Sequence, residues 1–335
     1  MKILVTGAAG FIGYHVSKAL LMRGSSVVGV DDLNAYYDVR LKHARIARLA
    51  RHEGFNFHAL DIGHHEALCA VCSNVEVIVH LAAQAGVRHS IENPFAYASA
   101  NLTGHLSVLE LARHAPALRH LVYASSSSVY GAGSTLPYSE LARADHPLSL
   151  YAATKRADEM MSVAYSHQYC LSQTGLRFFT VYGPWGRPDM AYFGFAEAIM
   201  EQRPITLYEG GRLKRDFTYV DDIVDGLLGV IDHPPETKGT HRLFNIGNNR
   251  SEYVIDMVRM LEAELGRRAI IIDTPRPAAD PIETHAEITA LAQLTGFAPK
   301  TTLAVGIPQF VDWYRDWLTE RSRTHGGLAP SGASG

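Results

Sequence analysis

Cysteine is scarce in this chain: three of 335 residues, Cys69, Cys72 and Cys170. So odd and sparse a count argues against a disulfide framework and fits a reducing cytoplasm. Cys69 and Cys72 form a C-x-x-C, but no second pair stands nearby. Packing within a helix is the reading adopted, and no metal is expected. An excess of one charge is also lacking. The 31 Lys and Arg against 34 Asp and Glu leave a net charge of −3, which argues against nucleic acid or an anionic membrane as partner. No apolar run approaches the ~20 residues that span a bilayer, so no membrane association is expected. The opening MKILVTGAAG moves directly into a strand-and-turn pattern, without the apolar core and cleavage site of a signal peptide. A cytoplasmic location is expected. The 17 histidines are scattered without ligand spacing, and no internal repeat is visible. Low complexity is confined to THGGLAPSGASG, from Thr324 onward, which is expected to be a disordered tail (324–335).

What is present is a rhythm. Apolar content of 47% and charged content of 19% fit a globular protein with a sizeable core. The runs KILVT (2–6), SVVGVD (26–31), FNFHAL (55–60), VEVIVHL (75–81), RHLVYAS (119–125) and TGLRFFT (174–180) read as strands. Helix-like stretches lie between them at 11–23, 38–53, 95–115 and 151–169. Strand alternating with helix implies an α/β fold with a doubly wound parallel sheet and right-handed crossovers. Near-continuous apolar strands imply burial on both faces. The rhythm loosens at VYGPWGRPDM (181–190), which places a boundary near residue 180. A smaller C-terminal α/β domain, 181–323, is expected to bind substrate. Residues 215–245 read as strand and helix that can return to the first domain, making the second discontinuous.

The first strand runs into VTGAAGFIGYHVSKALL, with Gly7, Gly10 and Gly13 spaced G-x-x-G-x-x-G. The first glycine permits a tight turn, the second leaves room for a pyrophosphate, and the third lets helix and strand pack closely. The helix N-terminus then offers free N–H groups to the phosphates. An acidic pair, Asp31 and Asp32, ends the second strand at the offset expected for a carboxylate on an adenosine ribose. A carboxylate there repels a 2′-phosphate, so NAD is expected rather than NADP. This is the Rossmann-like arrangement. Asp61, ending the third strand, reads equally as a contact for the adenine amino group or as a helix cap.

Two further features carry chemistry. ASSSSVYG (124–131) puts four serines at the end of a buried strand, where an open α/β sheet places its ligand. LSLYAATKRADEMM (148–161) holds Tyr151 and Lys155, whose i, i+4 spacing puts both on one helix face. A phenol is a poor base at neutral pH. A lysine ammonium and a positive nicotinamide beside it would stabilise the phenolate. Such a tyrosine can remove a hydroxyl proton while hydride leaves the same carbon.

Gly7/Gly10/Gly13, HLAA (80–83), Asn101, the serines before VYG, and Tyr151/Lys155 together resemble the extended short-chain dehydrogenase/reductase family, over residues 1 to about 320. The resemblance implies a retained NAD used to modify nucleotide sugars. It places the cofactor against Gly7, Gly10, Phe11, Ile12, Gly13, Asp31, Asp32, Asp61 and Ile62. Ala82, Ala83, Gln84, Asn101, Ser125, Tyr151 and Lys155 complete that set. Longer strings, among them DDLNAYYDVRLK, HLAAQAGVRHSIENP, LRFFTVYGPWGRPDM and KRDFTYVDDIV, are most similar to UDP-glucuronate 4-epimerases.

That resemblance implies Tyr151, Lys155 and Ser126 as catalytic residues acting on a UDP-uronic acid. Relatives that eliminate water carry an Asp-Glu pair where this chain has Ser127 and Ser128, so elimination is not expected. Ser127, Ser128, Thr180 and Arg187 are the candidates to hold a carboxylate, and Arg88 could serve it or the diphosphate. Arg215 matches the family's diphosphate arginine, and Arg276 is a second candidate. The stretch around Arg276, RPAADPIET, departs from the family pattern, with Ala279 in place of a glycine. Tyr208 could pack on uracil. Homodimerisation through helices 95–115 and 151–169 is the family habit. Three other readings stay open at this point: a UDP-glucose or UDP-N-acetylglucosamine 4-epimerase, a UDP-glucuronate decarboxylase, and a non-enzymatic NAD-binding sensor or scaffold.

Overall fold

The computed structural model describes residues 1–72, 74–277 and 280–326. Twelve strands are present among them: β1 (Lys2–Thr6), β2 (Ser26–Asp31), β3 (Phe55–Ala59), β4 (Val77–His80), β5 (His120–Ser126), β6 (Gln173–Phe178), β7 (Thr180–Tyr182), β8 (Pro204–Tyr208), β9 (Lys214–Tyr219), β10 (His241–Ile246), β11 (Ser251–Tyr253) and β12 (Ile270–Thr274). Seven form one sheet in the order β10-β6-β5-β4-β1-β2-β3. Every pairing in it is parallel. Chain order reverses at β1, which sits between β4 and β2, and a crevice opens there at the strands' carboxyl ends.

The period of two in the strands decides which core each residue joins. Ile3 and Val5 of β1 pack with helix Phe11–Met22, while Leu4 packs with helices His65–Val71 and Gly104–Arg113 on the opposite face. The sheet is thus covered on both sides. β3, at the edge, alternates Phe55 and Phe57 with Asn56 and His58 and is only half buried.

Helix Val220–Asp232 packs on helix Phe11–Met22, and β10 joins the large sheet beside β6. The remaining C-terminal elements are two small sheets, β11-β9-β7 and β12-β8, with helices Ala191–Met200, Val254–Leu265 and Leu303–Gly326 packed together.

Three details differ from expectation. The run TGLRFFT is not one strand: β6 ends at Phe178, and β7 begins at Thr180 beside β9. The N–H of Phe179 donates to the last β10 carbonyl, Ile246 O, and the chain then leaves the large sheet. The stretch 95–115 is not one helix either. A turn of π-helix, Ala98–Thr103, separates Pro94–Tyr97 from Gly104–Arg113, a distortion common at functional sites. At the C-terminus the helix continues to Gly326, into the stretch read as a tail. Residues 327–335 lie outside the described residues.

Candidate active site

A cavity of about 1140 Å³ opens at the carboxyl ends of β1, β2, β4 and β5 and is walled on its far side by β8, β9 and residues 187–191. All the site residues expected from the sequence line it except Asn101 and Arg276.

The glycine turn forms one end. Gly7 has φ +72°, and its N–H donates to Val30 O at 2.7 Å. A Cβ on Gly13 would stand 2.0 Å from the Gly7 carbonyl oxygen, and one on Gly7 would stand 2.8 Å from Ala82 N. Only hydrogen fits, so helix Phe11–Met22 can start directly against the strand with its N-terminus facing the cavity. A dinucleotide diphosphate fits such a cradle. Asp31, at the end of β2, braces it: Ala9 N–H and Leu33 N–H donate to its two oxygens at 3.1 and 2.9 Å. Lys42 Nζ lies 3.8 Å away. Burial raises the Asp31 carboxyl, and the Lys42 charge opposes that rise. Asp32 is exposed and accepts the Asn34 N–H at 3.0 Å. Asp61 accepts the Gly63 N–H at 2.8 Å, shaping the turn before the next helix.

Helix Leu150–Tyr169 starts where Ser149 Oγ accepts the Ala152 N–H at 3.1 Å. Tyr151, in the first turn, is half-buried and edge-on to Tyr97, with ring centroids 6.1 Å apart. Lys155, one turn later, is buried. Its ammonium donates to Ala124 O at 3.0 Å and Asp158 Oδ2 at 3.2 Å, fixing the charge at the end of β5. Burial pushes the Asp158 carboxyl up to about 6, against the pull of Lys155.

The four serines divide. Ser125 Oγ donates to Glu159 Oε1 at 2.6 Å, and Glu159 is held by both Nε and Nη2 of buried Arg177 at 2.8 Å. Its hydroxyl therefore serves a buried network. Ser126 Oγ accepts from the Ser128 N–H at 3.2 Å and the Ser128 hydroxyl at 2.9 Å. Ser127 and Ser128 begin a single 3₁₀ turn, Ser127–Tyr130, in the cavity wall. Thr180, opening β7, lines the same wall.

Arg187 is engaged on one edge. Its Nε and Nη2 donate to the two Asp189 oxygens at 3.0 and 2.7 Å, and Tyr36 Oη donates to Asp189 at 3.3 Å. Burial disfavours the Arg187 charge, but Asp189 outweighs it and the guanidinium's pKa is raised. At the other end of the cavity Arg88 Nη2 donates to Tyr208 Oη at 2.6 Å. Arg215 Nη2 donates to Asp280 Oδ1 at 2.5 Å.

Two expected contacts fall outside the cavity wall. Asn101 is buried, and its amide is consumed locally: Oδ1 accepts the Gln84 N–H at 2.8 Å, while Nδ2 donates to Gln84 O and Thr154 Oγ1. It braces the β4 loop against helix Leu150–Tyr169. The Arg276 guanidinium donates to the carbonyls of Pro277 and Asp280. Ala279 lies outside the described residues. The sequence reading missed Tyr36, Lys42 and Asp189, which all line the cavity. The polar loop DDLNAYYD between strand and helix was the available signal for Tyr36, whereas Lys42 lies in the helix that follows and Asp189 in PWGRPDM.

Comparison with known proteins agrees with this geometry. Residues 3–247 match the model of the NAD dependent epimerase/dehydratase family. Protein CapI of Staphylococcus aureus is 44% identical over 333 residues, covering 95% of this chain and 99% of CapI. UDP-glucuronate 4-epimerase 4 of Arabidopsis thaliana is 45% identical over 335 residues, covering 95% of this chain and 76% of that protein. The crystal structure of UDP-glucuronic acid 4-epimerase from Bacillus cereus, in complex with UDP-glucuronic acid and NAD, superposes with a TM-score of 0.87 at 33% identity, covering 95% of this chain and all of that one (100%).

Proposed function

The chain belongs to the NAD dependent epimerase/dehydratase family, and from its cavity we infer that it is a UDP-glucuronate 4-epimerase, interconverting UDP-glucuronate and UDP-galacturonate. One observation carries the reading: the cavity that begins at the glycine turn also gathers Tyr151, the serine hydroxyls and Arg187. Bound NAD supplies the acceptor and donor of the C4 hydride.

Tyr151 Oη takes the proton of the C4 hydroxyl and later returns it. One base serves both directions, because the same proton leaves and comes back. Ser126 Oγ hydrogen-bonds the C4 oxygen and helps to pass that proton. Lys155, held by Ala124 O and Asp158, keeps a positive charge one helical turn from the phenol. Between the two transfers the 4-keto sugar must turn over.

That intermediate is a β-keto acid and loses CO2 if its carboxylate bond aligns with the carbonyl π system. Ser127, Ser128 and Thr180 hold the carboxylate out of that alignment by hydrogen bonds, together with the Nη1 side of Arg187 that Asp189 does not take. Charge-assisted bonds of this kind contribute ~1.5–3 kcal/mol each. The positions after Ser126 carry hydroxyls and no carboxyl group, so nothing there can drive elimination from C5 and C6. Arg88, Tyr208 and Arg215 take the UDP end.

The homodimer and the cytoplasmic location belong to the same proposal. Helices Gly104–Arg113 and Leu150–Tyr169 present Leu106, Met160 and Val163 to solvent, at 41%, 62% and 49% exposure, a face suited to a second copy. The described residues contain no helix long and apolar enough to cross a membrane, and the three cysteines are free thiols.

Incubation with UDP-glucuronate and no added NAD tests the function. UDP-galacturonate is expected without release of CO2. UDP-xylose as the product, or turnover of UDP-glucose alone, would overturn the reading.

A further inference from the structure

We propose that Arg45 is a positioning residue that locks the Arg187 loop onto the cofactor's glycine turn, and through it sets selectivity for a carboxylate-bearing sugar. The inference rests on Arg187 as the carboxylate reader.

Arg45 lies on helix Val39–Leu49 and is 0% exposed. Burying a guanidinium is costly unless its charge is paired or its donors are met. Among the described residues no carboxylate forms an ion pair with it. Neutral oxygens meet its two Nη groups instead, while Nε is left without a partner among the described residues. Nη1 donates to Ala9 O at 2.7 Å and Tyr37 Oη at 2.8 Å. Nη2 donates to Trp185 O at 2.6 Å and Gly186 O at 3.0 Å. Ala9 lies within the glycine turn, and Trp185 and Gly186 immediately precede Arg187. One side chain therefore joins the cofactor cradle to the carboxylate-reading loop.

The loop needs that hold. Gly183 has φ +141° and Trp185 has φ +61°, a left-handed conformation that a bulky residue keeps only when its surroundings impose it. The preceding carbonyl is tied as well: His15 Nε2 bonds Pro184 O at 2.9 Å. Three successive carbonyls are thus held from the NAD-binding half, while the Arg48 guanidinium stacks 4.6 Å from the centre of the Trp185 ring. A flat fork with paired N–H groups can span these acceptors, whereas a lysine ammonium cannot.

The test compares dissociation constants for UDP-glucuronate and UDP-glucose on NAD-saturated protein, in the wild type, Arg45→Lys, Arg187→Ala and the double variant. Arg45→Lys should lower the preference for UDP-glucuronate by about tenfold, with UDP affinity within about twofold of wild type. Arg187→Ala should lower it at least as far, and the double variant no further than Arg187→Ala alone. A folded Arg45→Lys with unchanged preference overturns the proposal while leaving Arg187 as the reader. A double variant that loses preference additively also overturns it, because Arg45 would then act elsewhere. Unchanged preference in Arg187→Ala refutes the reading of Arg187 itself. If Arg45→Lys does not fold, Tyr37→Phe withdraws one acceptor from the same guanidinium. That variant should lower the preference about threefold, and no change in it counts against the proposal.

Discussion

Acidification from about pH 7.5 to about pH 5.5 should destabilise this protein, with about 3 kcal/mol of the loss coming from three buried histidines net of Asp158. His80, His105 and His120 supply that part of the loss, and His15 and His241, which burial lowers to about 4, add to it in the same sense. His80, His105 and His120 are at most 3% exposed. Their rings are used inside the core: Thr6 Oγ1 lies 2.7 Å from His80 Nδ1, Ser162 Oγ 2.9 Å from His105 Nε2, and Thr174 Oγ1 2.9 Å from His120 Nε2. Burial lowers His80 and His120 to about 3 and His105 well below its ordinary 6.5. A depressed folded-state pKa gives stability that is present above 6.5 and is lost as pH falls toward the folded value. One unit below 6.5, each group forfeits about 1.4 kcal/mol, or about 4 together. Asp158 acts in the opposite sense. Its folded value, about 6, is above its ordinary 3.8, so it returns about 1 kcal/mol as pH falls through that window. The net loss is a large share of the 5–15 kcal/mol typical of folded proteins. Urea unfolding at both pH values, followed by tryptophan fluorescence, measures it. Trp185, Trp313 and Trp317 pack in one cluster and report together. His105→Asn should shrink the difference by about 1.4 kcal/mol. Equal stability at the two pH values, or a gain on acidification, would refute the burial argument.

Other predictions concern the site and the assembly. Tyr151→Phe should abolish turnover while NAD stays bound, read from the cofactor absorbance of the purified protein; full activity would remove Tyr151 from the base role. Gly13→Ala must relieve a 2.0 Å approach to the Gly7 carbonyl, so the variant should lose bound NAD and about 1–3 kcal/mol of stability, checked by cofactor release and thermal unfolding. Replacing Val163 by Glu should shift the protein to monomers in light scattering, since it puts a charge on the apolar face of helix Leu150–Tyr169; an unchanged mass would place the dimer contact elsewhere.

Much of the site was legible because its residues sit at fixed offsets from strand ends. The Gly7–Gly13 spacing needs only a strand, a turn and a helix to have its meaning. Tyr151 and Lys155 need only a helix. The acidic pair and the serines follow buried strands whose apolar runs are plain. Asn101 and Arg276 show where such reading stops. Each is the right residue type at a suggestive place, yet Asn101 bonds Gln84 and Thr154, Arg276 bonds the carbonyls of Pro277 and Asp280, and neither lines the cavity. The break after Phe178 was equally hidden, because seven strand-like residues in a row do not say which sheet each will join.

The sequence by itself determined the alternation of strand and helix, the glycine turn, the placing of Tyr151 and Lys155 on one helix face, and the absence of an acid pair beside Ser126. These are local features, set by periodicity, glycine geometry and residue chemistry within about 20 positions. Tertiary structure alone decided how Arg187 is presented. Its fork is oriented by Asp189, which Tyr36 contacts, and its loop is gripped by Arg45 and His15 from the far side of the first domain. Tyr36, Arg45 and Arg187 are separated by up to about 150 positions, and no periodicity links them. They meet because a buried guanidinium must find acceptors wherever the packed chain offers them.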